Sequence, residues 1–308
     1  MIKTSQLKRT YGSLNALKGI DLLVEEGDLY GFIGPNGAGK TTTIRILTTL
    51  LEPSSGEATV GGFSVWKQKQ EIRGIIGYMP DSFGVYRDMT VVEYLHFFAA
   101  AYGIPLRDRK ALVTNLLDLT DLGTKSEALI DTLSRGMQQR LGLARTLVHD
   151  PKVLILDEPA SGLDPRARIE IREILKELRR MGKTILLSSH ILSDLSEICN
   201  RVGILERGEL VAQGTLDEVM NKAREDADIV ISTTDDARAG TVLKELPSVK
   251  SAEPTPDQKL LVIQLHQPVD LAELSAHLHG RGIHIRHLER REPTLEQVFM
   301  KLTQGLVQ

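Results

Sequence analysis

Gly34-Pro35-Asn36-Gly37-Ala38-Gly39-Lys40-Thr41 decides how this chain is read. It fits G-x-x-x-x-G-K-[ST], a loop that wraps a phosphate chain. The glycines let backbone N–H groups turn inward around an anion. Lys40 supplies a charge for the β and γ phosphates, and Thr41 supplies a hydroxyl for Mg²⁺, a hard cation that takes oxygen ligands. The helix predicted to start at Thr41-Thr42-Thr43 points its positive dipole end at the same phosphates. The apolar run Leu29-Tyr30-Gly31-Phe32-Ile33 leads into the loop as a strand. Gly34, Asn36, Gly37, Ala38, Gly39, Lys40, Thr41 and Thr42 are therefore the candidate nucleotide contacts.

Working outward, the chain of 308 residues suffices for one large domain and a smaller one. Its net charge of −3 provides no basic field to attract nucleic acid or anionic lipid. Cys199 is the one cysteine, which excludes an internal disulfide and a multi-cysteine zinc site. Met1-Ile2-Lys3-Thr4-Ser5 lacks the apolar core of a signal peptide. No apolar run approaches the roughly 18 residues that span a bilayer, so any work at a membrane needs another protein as anchor.

Short strands around a turn are expected before residue 30, and Gly74-Ile75-Ile76-Gly77-Tyr78-Met79-Pro80 reads as a buried strand. From Thr90 to about Leu147 apolar residues recur at helical spacing. Val153-Leu154-Ile155-Leu156 and Thr184-Ile185-Leu186-Leu187-Ser188 read as central parallel strands with an amphipathic helix between them. Beyond Lys222 comes a charged, linker-like stretch, Arg224 to Asp228. A strand–helix–strand–strand–helix–strand order follows, predicting a small ferredoxin-like domain. Its elements are expected at 229–232, 237–246, 249–253, 260–265, 271–278 and 283–288, with a last helix from about Thr294 to Leu302.

A second motif ends the strand 153–156 in Asp157-Glu158-Pro159. Carboxylates at the carboxyl edge of a sheet lie where α/β proteins bind ligands. Asp157 suits Mg²⁺, often through water. Glu158 suits orienting or deprotonating an attacking water. A third motif, Leu133-Ser134-Arg135-Gly136-Met137-Gln138-Gln139-Arg140, has Ser and Gly before a helix expected to begin near Met137. It reads either as an ordinary Ser-capped helix start or as an anion site.

Together these elements resemble the ATP-binding cassette (ABC) family of ATPases. The order is phosphate loop, Leu-Ser-x-Gly signature, Asp-Glu strand end, Ser161-Gly162-Leu163-Asp164, then His190. The resemblance covers about residues 2 to 220. It implies an ABC ATPase domain at 1–222, with parallel-sheet core, antiparallel β subdomain and a helical subdomain at about 90–147, followed by a small α+β domain at 223–308. It implies ATP and Mg²⁺, with Tyr11 stacking on adenine, Lys40, Glu158 and His190 as catalytic residues, and Thr41, Asp157 and Asp81 around the metal. Ser134 and Gly136 would cover the nucleotide held by a second copy, and Asp164 would act across the dimer interface. A separately encoded membrane permease, most simply driven by a homodimer, is the implied partner. The implied location is cytoplasmic, peripheral on the inner face of the cell membrane, touching the membrane only through the permease.

Two departures stand out. Asp81 replaces the usual Gln after Gly77-Tyr78-Met79-Pro80, and Arg135 and Met137 stand where Gly and Gln are commonest. Arg135 is expected to add charge near the γ-phosphate. Met79 to Tyr86 and the tail Glu292-Pro293-Thr294-Leu295-Glu296-Gln297-Val298-Phe299 resemble ATPase subunits of ABC exporters. Residues 75–95 are the implied permease-docking surface, with Phe83, Val85 and Tyr86 as apolar anchors or as packing for the helical subdomain. Two other readings compete with this one. A soluble ABC ATPase acting on nucleic acid or ribosomes usually carries coiled coils, zinc cysteines or two cassettes, and none is seen. A nucleotide switch without turnover is opposed by Glu158 and His190.

Overall fold

The computed structural model describes the chain except residues 83, 85, 87, 225–228, 256–259, 267–268, 292–293 and 304–308, and the side chains of 222–224. The chain forms two units, Met1–Leu216 and Asp217–Gln308.

The first unit opens with β1 (Ile2–Tyr11), β2 (Leu14–Ile20) and β3 (Leu23–Val24). The first hairpin strand is thus long, with Ile2, Thr4 and Leu7 buried and its other residues partly or fully exposed. The core strand β4 (Leu29–Ile33) follows, then α1 (Lys40–Leu47), β5 (Ser55–Val60) and β6 (Phe63–Ser64). Next come α2 (Lys69–Ile75) and β7 (Ile76–Met79). The buried strand expected from Gly74 therefore begins only at Ile76, because Gly74 and Ile75 complete a helical turn anchored by buried Ile72.

The helical stretch comprises α3 (Val91–Ala101), α4 (Leu106–Leu119) and α5 (Arg135–Leu147). Thr90 and Glu93 form a reciprocal capping box at the start of α3, satisfying two backbone donors. Buried Arg140 ties α5 to the end of α4, donating to Thr120 O and Asp121 O, each at 3.1 Å. β8 (Val153–Asp157), α6 (Pro165–Arg180), β9 (Thr184–Ser189), α7 (Leu192–Ile198), β10 (Arg201–Glu206) and β11 (Glu209–Thr215) complete the unit.

Two sheets result. One is antiparallel, in the order β2-β1-β5-β6 with β3 on β1. The other runs β11-β10-β4-β9-β8-β7 and is parallel except at β11. Every residue of β4, β8 and β9 is buried, as expected of parallel strands covered on both faces. The order β4-β9-β8 brings three strand ends side by side: the one entering the phosphate loop, the one preceding His190 and the one carrying Asp157.

At the junction lies α8 (Leu216–Arg224). The second unit then runs β12 (Ile229–Thr233), α9 (Asp236–Leu243), β13 (Val249–Pro254), β14 (Leu261–Leu265), α10 (Leu271–Gly280), β15 (Ile285–Arg290) and α11 (Leu295–Leu302). Its sheet is antiparallel in the order β13-β14-β12-β15, the ferredoxin-like arrangement. Ile229, Ile231, Ala239, Leu243, Ile263, Leu274 and Leu278 build its core. The last strand starts at Ile285 rather than at Ile283, which is buried in the core before pairing begins. Expected features at 225–228, at 256–257 and at Glu292 and Pro293 lie outside the described residues.

Candidate functional site

Gly34 is buried where β4 ends, and a Cβ there would collide with the Leu205 carbonyl. Gly39 has φ 112°, the left-handed region, and caps α1 with no side-chain bond. The first-turn N–H groups of α1 thus keep no side-chain acceptor at the cap and face an incoming anion. The helix starts one residue earlier than expected, at Lys40. Ala38 is buried beneath the loop, while Asn36, Gly37 and Thr41 are exposed on it.

A cleft of about 340 Å³ opens over the loop. Tyr11, Asn36, Gly37, Gly39, Lys40, Thr41, Thr42, Asp81, Asp157 and Glu158 all line it. Lys40 Nζ donates to Gly34 O at 2.6 Å and lies 3.7 Å from Glu158 Oε1. Burial lowers the Lys40 pKa from its ordinary value, against the opposing pull of the Glu158 and Asp157 charges. That ammonium is poised to pair with a phosphate oxygen.

Glu158 leaves β8 with φ 52°, an unusual conformation for a residue with a side chain. The turn aims its carboxylate at His190, whose Nδ1 lies 2.7 Å from Oε2. One carboxylate therefore stands between the loop lysine and the histidine that follows β9. Glu158 and His190 together are equipped to orient a water and take its proton.

Ser188 was not singled out by sequence, yet it organises this corner. It sits opposite Asp157 in the β8–β9 ladder. Its hydroxyl donates to Asp157 Oδ1 at 2.6 Å and accepts from the Glu158 N–H at 3.0 Å. The available signal was its place two residues before His190 on the neighbouring strand. Arg9, also passed over, stands over the Tyr11 ring at 4.7 Å.

Thr41, Asp81 and Asp157 present a hydroxyl and two carboxylates to one cleft. This oxygen set suits Mg²⁺, which is held by one or two carboxylates together with substrate phosphates. Among the described residues no group of three His, Cys, Asp or Glu could hold a metal by itself.

Ser134, Gly136 and Asp164 do not line this cleft. Ser134 caps α5, accepting from Met137 N at 3.3 Å, so the helix begins at Arg135 rather than near Met137. Asp164 caps α6, accepting from Ala167 N at 3.0 Å, with Pro165 in the favoured first position. A Cβ on Gly136 would lie 2.8 Å from the Ala167 Cβ, so glycine lets α5 and α6 approach. A Cβ on Gly162 would lie 2.6 Å from the Arg135 Cζ, so within one chain this guanidinium packs on the loop that leads to Asp164.

Residues 17–161 match the ABC transporter family, and residues 214–303 match the C-terminal domain of DrrA1-3-like ATP-binding proteins. The linearmycin resistance ATP-binding protein LnrL of Bacillus subtilis (strain 168) is 31% identical over 305 residues, covering 98% of each chain. The chain belongs to the ATP-binding subunits of ABC transporters. The bacitracin transport ATP-binding protein BcrA of Bacillus licheniformis is 35% identical over 307 residues, covering 99% of this chain and 98% of that one. A dimeric ATP-binding cassette solved in a post-hydrolysis state with ADP and Pi aligns with TM-score 0.63 and 26% identity. It covers 70% of this chain and 99% of its own. The ABC subunit described here binds ATP and hydrolyses it. No helix among its described residues is long and apolar enough to cross a membrane.

Proposed function

We propose that this ABC subunit powers export through a separately encoded permease, working as a homodimer on the cytoplasmic face of the membrane. Full-length likeness to a linearmycin resistance protein and a bacitracin transport protein supports an exporter. It disfavours the alternative of a soluble ATPase acting on nucleic acid or ribosomes. The functional division is an ATPase domain at 1–222 and an accessory domain at 223–308.

The observation that carries the catalytic reading is Glu158 held between Lys40 and His190 at the phosphate-loop cleft. Loop amides and Lys40 bind the phosphates, and Tyr11 takes the adenine. Thr41, Asp157 and Asp81 would hold Mg²⁺, which neutralises phosphate charge when bound. Glu158 accepts the proton of the water that attacks the γ-phosphorus; the bond to the β-phosphate oxygen breaks, leaving ADP and phosphate. His190 holds the carboxylate in place and contacts the γ-phosphate. Ser134 and Gly136 of a second copy cover the nucleotide, so ATP joins the two copies and hydrolysis releases them.

For the permease, the supporting feature is an aromatic cluster beside the Asp81 loop. Tyr86 and Phe97 pack 5.4 Å apart while remaining 54% and 43% exposed. Phe83 and Val85, the other expected anchors, lie outside the described residues.

Glu158→Gln tests the chemistry. It should cut turnover at least about a hundredfold, the scale of a lost general base, while ATP binding persists. Unchanged turnover would remove Glu158 from its role. Affinity capture of the chain from detergent-solubilised membranes tests the partner. A co-purifying multi-span protein is expected; ribosomal or DNA-associated proteins instead would overturn the export reading.

A further inference from the structure

Tyr11 ends β1, and Arg9 lies two residues earlier, the spacing that puts side chains on one face of a strand. The β1–β2 ladder shifts register between Arg9 and Thr10, an irregularity of the kind that re-aims side chains beside binding sites. Arg9 Cζ stands 4.7 Å from the Tyr11 ring centroid, within cation–π range. Its Nη1 is tethered to Glu52 O at 2.9 Å. Its Nε is buried with no hydrogen-bond acceptor among the described residues, so the π face of Tyr11 is the electron-rich surface beside that part of the guanidinium. Tyr11 nonetheless lines the cleft and is 41% exposed. With one ring face under a clamped cation, the opposite face is the one left for a planar base.

We propose that Arg9 is a positioning residue for the nucleotide base, holding the Tyr11 ring plane and improving its open face as a stacking partner. The physics has two parts. A ring fixed in advance loses less freedom on binding. A cation on one face draws π density toward itself, which lessens repulsion between the other face and the π cloud of a purine. The proposal rests on the reading that Tyr11 receives adenine, and the experiment separates the two.

Full-length wild type, Arg9→Met, Arg9→Lys, Tyr11→Ala and the Arg9→Met/Tyr11→Ala double variant are titrated with ATP and with inorganic tripolyphosphate by calorimetry. Tyr11→Ala should weaken ATP about tenfold or more, the scale of base–aromatic stacking. Arg9→Met should weaken ATP about three- to tenfold, the scale of a partly exposed cation–π contact. Tripolyphosphate affinity should stay at the wild-type value in both. Arg9→Lys, which keeps the cation, should recover most of the loss. In the double variant the Arg9 effect should vanish, because it acts through the ring. An Arg9→Met protein that binds ATP like wild type, or loses ATP and tripolyphosphate equally, overturns the proposal while leaving Tyr11 its role. A Tyr11→Ala protein with wild-type ATP affinity overturns the adenine reading beneath it. Should Arg9→Met fail to fold, Arg9→Gln decides: weakened ATP with unchanged tripolyphosphate affinity supports the cation, and wild-type ATP affinity overturns it.

Discussion

Replacing Ser188 by alanine tests whether the catalytic corner is held together from the neighbouring strand. Ser188 is fully buried and Asp157 is 2% exposed, so solvent cannot readily replace what the hydroxyl supplies. Two bonds are lost: the donation to Asp157 Oδ1 at 2.6 Å and the acceptance from Glu158 N at 3.0 Å. The first involves a carboxylate, and such bonds are worth about 1.5–3 kcal/mol. Adding the amide bond gives a total near 3 kcal/mol. For a unit the size of Met1–Leu216 this lowers Tm by roughly 6–12 °C. The catalytic effect has a separate origin. Holding Glu158 at φ 52° costs about 1–3 kcal/mol, and the bond from its own N–H helps to retain it. Once released, the carboxylate leaves its place between Lys40 and His190. A loss near 2 kcal/mol in the transition state slows kcat about thirtyfold, while KM for ATP shifts little because the phosphate loop is untouched. Thermal melts and a coupled ATPase assay at saturating Mg-ATP read both quantities. Ser188→Thr, which keeps the hydroxyl, should retain more turnover than alanine. A Ser188→Ala protein with lowered Tm and wild-type kcat would refute the organising role and leave the hydroxyl a purely structural part.

Three further outcomes are expected. In Lys40→Met, ATP affinity collapses. Because burial lowers the folded-state pKa of Lys40, the unfolded chain binds more protons just below the ordinary value of 10.5, so wild-type stability gains from this group as pH rises through that window; denaturant melts at pH 8 and pH 10 should show this gain in wild type and not in the variant. Gly136→Ala, whose Cβ would lie 2.8 Å from the Ala167 Cβ, should cost about 1–3 kcal/mol by forcing α5 from α6, measured by urea unfolding. Phe97→Asp, at an exposed position, should leave soluble ATPase activity within about twofold and abolish capture of the membrane partner, since central aromatic anchors carry about 2 kcal/mol or more.

The chemistry of this chain was legible wherever it is written in consecutive residues. The phosphate loop and the Asp157-Glu158 strand end each name their reaction because backbone geometry forces adjacent residues into one place. What brings them together is the order β4-β9-β8, a property of strand pairing that no local motif carries. Ser188 escaped for the same reason, since its importance is that the ladder sets it opposite Asp157. Arg9 escaped because a charged residue in an exposed hairpin strand ordinarily serves solubility, and the sequence does not show that its guanidinium lies over the Tyr11 ring. Arg135 adds a contact that its charge did not announce: within its own chain the guanidinium packs on Gly162.

The signature and the Asp164 loop pose a subtler case, because local and functional readings of one residue coexist there. Ser134 caps α5 and Asp164 caps α6, the commonplace explanation for each. A hydroxyl that caps a helix spends an acceptor lone pair and keeps its O–H, so Ser134 can cap α5 and still donate to an anion. A carboxylate that caps through one oxygen keeps the other, and the Asp164 cap uses Oδ1. Capping also fixes each side chain before any partner arrives, so less freedom is lost when the second copy docks. The cap is therefore no argument against a role across the dimer. It is preorganisation of the kind that the proposed role, toward a nucleotide held by a second copy, would use.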